Sequence, residues 1–154
     1  MVSEDRLAKQ KEIARALGVA EEFDAAHELE RRVGFLTDYL IRSGLATYVL
    51  GISGGVDSLV AGGLAQRAVE RARQQGHQAQ FIAMRLPYGI QRDEDAAQAS
   101  LQLIQPDLAV TVNIKAAADG MLEAVKAGDI AFRDPHHEDF QMGNIKARQR
   151  MIAQ

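Results

Sequence analysis

Residues 47–58 read TYVLGISGGVDS, and no other stretch restricts the fold of this chain so tightly. A β-branched and aliphatic run stops at small, hydroxylated and glycine residues, and a helical pattern (LVAGGLAQRAVERARQQ) follows at once. Strand, tight turn and helix N-terminus in succession build an anion pocket, because the first N–H groups of a helix have no partner within it and the helix dipole favours negative charge there. Gly54 and Gly55 let the backbone come close to a ligand, since no Cβ intervenes. Ser53 and Ser58 add hydroxyls. Asp57 is the informative member: a carboxylate repels bound phosphate unless a cation lies between them, so the loop reads as a site for a metal-bridged polyphosphate.

The rest of the chain supplies a matching scaffold. Ser3 is placed to cap a first helix ending at Gly18, and Asp24 a second one, in which Leu29, Val33, Leu36 and Leu40 mark an apolar stripe ending at Gly44. Strands are predicted at 47–52, 80–86 and 108–114, with helices from 56 to about Gly76, from Asp93 to Ile104 and on through Lys126. Alternating strands and helices at this spacing mean βαβ units and a parallel sheet, with ligands bound beyond the carboxyl ends of the strands. Residues 128–139 lack periodicity and read as a mobile loop, with His136 and His137 exposed in it; 140–154 reads as the start of another helix.

Composition narrows the function classes. The chain has 154 residues and a net charge of −3, which gives no basis for nonspecific binding to nucleic acid or an acidic membrane. Cysteine is absent, which excludes a thiolate nucleophile and Cys-based zinc or iron–sulfur centres in this chain. No apolar run approaches the roughly 18 residues that cross a bilayer. The N-terminus carries acidic residues and no apolar signal core, so a cytoplasmic location is expected.

Three motifs compete for the glycine turn. Walker A needs a lysine that is not there. Gly51-Ile52-Ser53-Gly54-Gly55 fits the G-x-S-x-G elbow of a serine hydrolase, but an oxyanion loop upstream and room for a triad and lid are lacking. The SGGxDS loop of the ATP pyrophosphatases, which split ATP into AMP and pyrophosphate, uses every residue from Ser53 to Ser58. A purely structural βα turn leaves Asp57 unexplained.

The wider sequence resembles the ammonia-dependent NAD synthetases. GISGGVDS, FIAMRLPYGIQRDEDAA, IQPDLAVTVNIK and GNIKARQRMIAQ occur in that family's order and spacing, and the likeness covers nearly the whole chain. It implies an α/β fold with a parallel sheet and flanking helices, the Rossmann-like adenine nucleotide alpha-hydrolase (PP-loop) type. It implies one NAD synthetase domain over 1–154, with N-terminal helices to 45 and a βα core over 46–127. The implied activity is ATP-dependent amidation of deamido-NAD with ammonia, giving NAD, AMP and pyrophosphate. Gly51, Ile52, Ser53, Gly54, Gly55, Val56, Asp57 and Ser58 would cradle ATP, with Asp57 holding Mg²⁺. Arg85 and Gln91 match adenosine contacts; Arg148, Asn144, Phe140 and Tyr39 match deamido-NAD contacts. Without the resemblance, Arg85 reads as an exposed strand-end charge, Tyr39 as core, and Lys146, Arg148 and Arg150 as a solvated helix face. Asp93, Glu94 and Asp95 read as helix N-terminal charges rather than catalysts.

The chain departs from the family in two places. Leu59 stands where relatives commonly carry Thr, which removes one hydroxyl. The family also continues well past Gln154, with a second metal carboxylate and further ATP contacts. The chain is therefore expected to be a fragment inactive by itself, with the first strand left as an apolar edge. A homodimer with the dinucleotide near its interface is the implied assembly. The remaining alternatives are a non-catalytic ATP-binding fragment and the ATPase module of a GMP synthetase.

Overall fold

The computed structural model describes residues 4–19, 22–90, 94–128 and 131–154. Contacts divide the chain into two units, Met1–Arg32 and Val33–Gln154. The first holds α1 (Glu4–Ala16) and the opening of α2 (Ala25–Ser43). Gly18, at φ +66°, follows the end of α1, and Asp24 caps α2 by accepting the Ala26 and His27 amides at 3.0 Å. Ser3, the expected cap of α1, lies outside the described residues.

The second unit is built on three parallel strands in the order β1-β2-β3. These are β1 (Thr47–Gly51), β2 (Gln80–Arg85) and β3 (Leu108–Thr111), alternating with α3 (Val56–Gln74), α4 (Glu94–Ile104) and α5 (Lys115–Ala127); α6 (Pro135–Ala153) follows. The strand period of two separates the faces of β2. Phe81 and Ala83 are fully buried with Leu40, Ile52, Val69 and Ile104, beneath α2, α3 and α4. Met84 instead packs with Leu86 and Ile114, and partly buried Ile82 joins that second cluster. Ala118, Met142 and Ile145 form a third cluster between α5 and α6. Each large core side chain withdrawn from water contributes about 1.5–3 kcal/mol. Gly62 lets α3 sit close to α4, since a Cβ there would fall 2.7 Å from Ile104 Cδ1.

Two expectations shift. The third strand ends at Thr111 rather than Ile114, although its pairing direction persists: the Val112 amide donates to Arg85 O and the Ile114 amide to Pro87 O. The helix expected from 140 begins at Pro135, so His136 and His137 stand in its first turn rather than in a loop. Asp134 Oδ1 accepts the His137 amide at 3.0 Å, and proline occupies a first-turn position where no N–H is needed. That start is made by cap chemistry, which hydrophobic periodicity does not register. β1 lies at one side of the described sheet, with Val49 exposed.

Candidate functional site

The Gly51–Ser58 segment leaves β1 at its carboxyl end and enters α3 through Gly55, whose extended backbone starts the helix without any side-chain cap. The loop holds itself instead. Ser58 Oγ donates to Gly55 O at 2.9 Å and lies 3.1 Å from Ser53 Oγ, which accepts the Gly55 amide at 3.3 Å. Among the described residues, the partners of Ser53 Oγ are Ser58 and the Gly55 amide of its own loop, not a histidine as the hydrolase reading requires. Gly54 has φ +92°, in the region that favours glycine, and a Cβ there would meet the Ala97 amide nitrogen at 2.9 Å. The glycine pair therefore serves two ends: it bares the start of α3 and lets α4 lie directly against the loop.

That placement of α4 also organises Arg85. The side chain is 2% exposed at the carboxyl end of β2, and its guanidinium grips Glu94 of α4 at 2.8 and 3.1 Å. It is not the exposed strand-end charge that the sequence alone suggests. A buried guanidinium needs a partner, and the fork matches a carboxylate with two bonds. Bonds from Gln98 and then from Arg85 hold the Glu94 carboxyl below its ordinary range. Glu94 was legible only as a helix-start charge; its pairing depends on α4 reaching back over the strand end. Gln91 and Asp93 lie outside the described residues.

A cleft of about 370 Å³ adjoins the loop, lined by Gly51, Ser53, Met84, Leu86, Arg150 and Gln154. Helix α6 thus reaches the strand ends with its last turns. Of the dinucleotide candidates on α6, Phe140 is 69% exposed and Arg148 is exposed, while Asn144 is half-buried and its Nδ2 donates to Phe140 O at 3.2 Å. Tyr39 is also exposed, stacked on Phe35 with ring centroids 6.1 Å apart, so core packing is not its role. The eight loop residues and Arg85 gather at one end of the sheet, with α4 between them, while Phe140, Asn144 and Arg148 share one helix.

The residues present suit a hard divalent cation. Asp57, exposed in the first turn of α3, offers carboxylate oxygens on the same loop that carries the Ser53 and Ser58 hydroxyls. Among the described residues no cluster of three or more His, Cys, Asp or Glu could cage a metal. A lone exposed carboxylate is a donor that Mg²⁺ accepts, since that ion keeps most of its waters and binds through one or two carboxylates plus ligand phosphates. Among the described residues, no helix is long and apolar enough to cross a membrane.

A parallel sheet whose first strand feeds an uncapped helix through S-G-G-x-D-S defines a nucleotide-binding α/β domain of the PP-loop ATP pyrophosphatase type. The family model described as NAD synthase matches residues 28–154, and the chain belongs to that family. The NH(3)-dependent NAD(+) synthetase of Streptomyces coelicolor is 64% identical over 148 residues, which is 96% of this chain and 54% of that protein. The enzyme of the same name from Paraburkholderia phytofirmans is 54% identical over 154 residues, 100% of this chain and 54% of its own length. The crystal structure of NAD+ synthetase from Burkholderia pseudomallei superimposes with a TM-score of 0.89 at 53% identity, covering 97% of this chain and 64% of that one. The chain spans about half the length of the curated relatives it matches.

Proposed function

We propose that this chain carries the ATP-binding half-site of an ammonia-dependent ligase that converts deamido-NAD into NAD. The observation that carries the reading is the loop itself: an uncapped α3 N-terminus, flanked by the Ser53–Ser58 hydroxyl pair and by Asp57. The names of the similar proteins point the same way.

In the proposed reaction a nicotinate carboxylate oxygen attacks the α-phosphorus of ATP, forming a P–O bond as pyrophosphate leaves. Ammonia then adds to the activated carbonyl carbon. AMP departs with the former carboxylate oxygen, and a proton is released from nitrogen. A carboxylate acylates poorly; adenylation turns its oxygen into a leaving group, so the protein's tasks are positioning and charge stabilisation. Gly51, Ile52, Ser53, Gly54, Gly55, Val56, Asp57 and Ser58 hold the phosphates through α3 N–H groups and hydroxyls. Arg85 and Gln91 serve the adenosine part. Arg148 meets the dinucleotide phosphates with its fork of donors, beside Asn144, Phe140 and Tyr39. Mg²⁺ held by Asp57 would neutralise phosphate charge. The single-domain assignment over residues 1–154, a homodimeric assembly and a cytoplasmic location complete the proposal.

Titration calorimetry with Mg-ATP, set beside an NAD-forming assay with deamido-NAD, ATP and ammonia, tests it. Asp57→Ala is expected to weaken Mg-ATP binding about 30-fold or more and to abolish its magnesium dependence, the scale of losing a charged contact. Unchanged affinity in that variant sinks the phosphate-loop assignment. Binding without turnover favours a nucleotide-binding module, and turnover of xanthosine monophosphate in place of deamido-NAD a GMP synthetase-like one.

A further inference from the structure

Lys146, Arg148 and Arg150 look alike in the sequence, yet the structure treats them differently. At about 100° per residue, Lys146 and Arg150 lie within roughly 40° of each other around α6, and Arg148 lies on the far side. Lys146 Nζ sits 3.9 Å from the centroid of the Tyr88 ring. Arg150 Nε donates to Leu86 O at 3.1 Å. Both contacts land on the three residues Leu86-Pro87-Tyr88 that leave β2, the segment next to the phosphate loop. Arg148 is exposed, and its hydrogen bonds among the described residues are long ones of 3.4 and 3.5 Å to Asn144 on the same helix.

The segment they dock on is itself well anchored. Tyr88 is half-buried where the second and third apolar clusters meet. Its hydroxyl donates to Asp119 Oδ1 of α5 at 2.5 Å, Lys115 Nζ lies 5.1 Å from its ring, and Lys115 also pairs with Asp119. Asn113 Oδ1 accepts the Gly89 amide at 3.1 Å. A cation seated on a partly desolvated ring is attracted by the ring's negative face, and a guanidinium on a carbonyl fixes direction as well as distance.

We propose that Lys146 and Arg150 are positioning residues that dock α6 on the Leu86–Tyr88 segment, and that this docking fixes the place from which Arg148 meets an anionic ligand. The role rests on the proposed deamido-NAD contact of Arg148 and deepens it. Two of the three cations are engaged with the chain's own carbonyl and ring; the third faces solvent. The helix that bears the dinucleotide contacts is thereby set against the strand ends that bear the ATP loop.

The test titrates the chain with deamido-NAD and separately with Mg-ATP, for the wild type, Arg148→Gln, Arg150→Gln, Lys146→Met, Lys146→Arg and the double variant Arg148→Gln/Arg150→Gln. Thermal scans identify the temperature at which every variant is folded. Arg150→Gln and Lys146→Met are each expected to weaken deamido-NAD binding about tenfold, a charged contact's scale, and Lys146→Met to leave Mg-ATP binding within about twofold. Lys146→Arg, which keeps a cation over the ring, restores binding. In the Arg148→Gln background, Arg150→Gln costs almost nothing further, because it acts through Arg148. Additive losses in the double variant would overturn the proposal by making Arg150 a ligand contact in its own right. Normal binding by Arg150→Gln, where Arg148→Gln binds poorly, would overturn the docking role and leave the proposed function standing. Absence of deamido-NAD binding by the wild type, or normal binding by Arg148→Gln, removes the underlying reading and the docking role with it.

Discussion

The two ends of the sheet handle their polar groups in opposite ways. At the amino end, Asp107 is a knot: its carboxylate accepts the Phe81 amide at 2.8 Å, Arg73 at 2.9 Å and Gln66 at 3.4 Å, joining β2, α3 and the start of β3. Arg73 also donates to Ala79 O. At the carboxyl end, α3 begins with no side-chain cap, and among the described residues the Ser53 and Ser58 hydroxyls bond within their own loop. Satisfied polar groups stabilise a fold, whereas donors left open at a helix start are available to a ligand. One end closes the domain, and the other leaves helix-start donors open, as the proposed phosphate site requires.

The largest expected effect probes whether the open end is built for close approach. Gly54→Ala places a Cβ at 2.9 Å from the Ala97 amide, on a backbone at φ +92°. Neither the α4 backbone nor the loop can yield cheaply. The loss of stability should be about 3 kcal/mol, and Mg-ATP binding should fall with it, as loop distortion and steric overlap add. Urea unfolding and calorimetry on the same variant measure both. A stable Gly54→Ala chain that still binds Mg-ATP would mean the loop is less constrained than its geometry indicates.

Asp107→Asn tests the closed end, with a smaller effect and a different signature. The amide oxygen can still accept the Phe81 N–H, but the charge that Arg73 and Gln66 face is gone. Stability should fall by about 2 kcal/mol, the range for charged hydrogen bonds in a partly buried site. Mg-ATP affinity of the folded chain should not change, since Asp107 lies at the far end of the sheet. Equal damage to binding would erase the distinction between the two ends.

The sequence showed the open end more clearly than the closed one, for a physical reason. Ser53–Ser58 is contiguous, so its strand, turn and helix start are local and carry their own signature. The Asp107 knot joins residues 26 to 41 positions apart in the chain, and nothing near Asp107 marks it as more than a turn residue. Arg85 and Glu94 fall between these cases: both charges were visible, but only the docking of α4 on Gly54 shows that the arginine is buried. Tyr39 was ambiguous because a stripe at helical spacing does not say which side of the helix is covered; Thr37, with its hydroxyl on Val33 O and Ala68 O, is buried instead.

Acid offers the smallest and most selective probe. Burial pulls the Asp107 carboxyl upward, but Arg73, the Phe81 amide and Gln66 together outweigh it and leave it below its ordinary 3.8. A carboxylate whose folded-state pKa is depressed binds a proton more readily in the unfolded chain. Its stabilising contribution is therefore complete above the unfolded value near 3.8 and is lost as pH falls through the lower folded value. Stability measured by urea unfolding should decline as pH falls from about 4 towards 2, and Asp107→Asn should decline less steeply over that window. Glu94, held down by Gln98 and Arg85, and Asp134, held down mainly by His137, add to the acid response in both chains. The difference between the two curves therefore isolates the knot, and parallel curves would show that Asp107 is not the charge that closes the amino end.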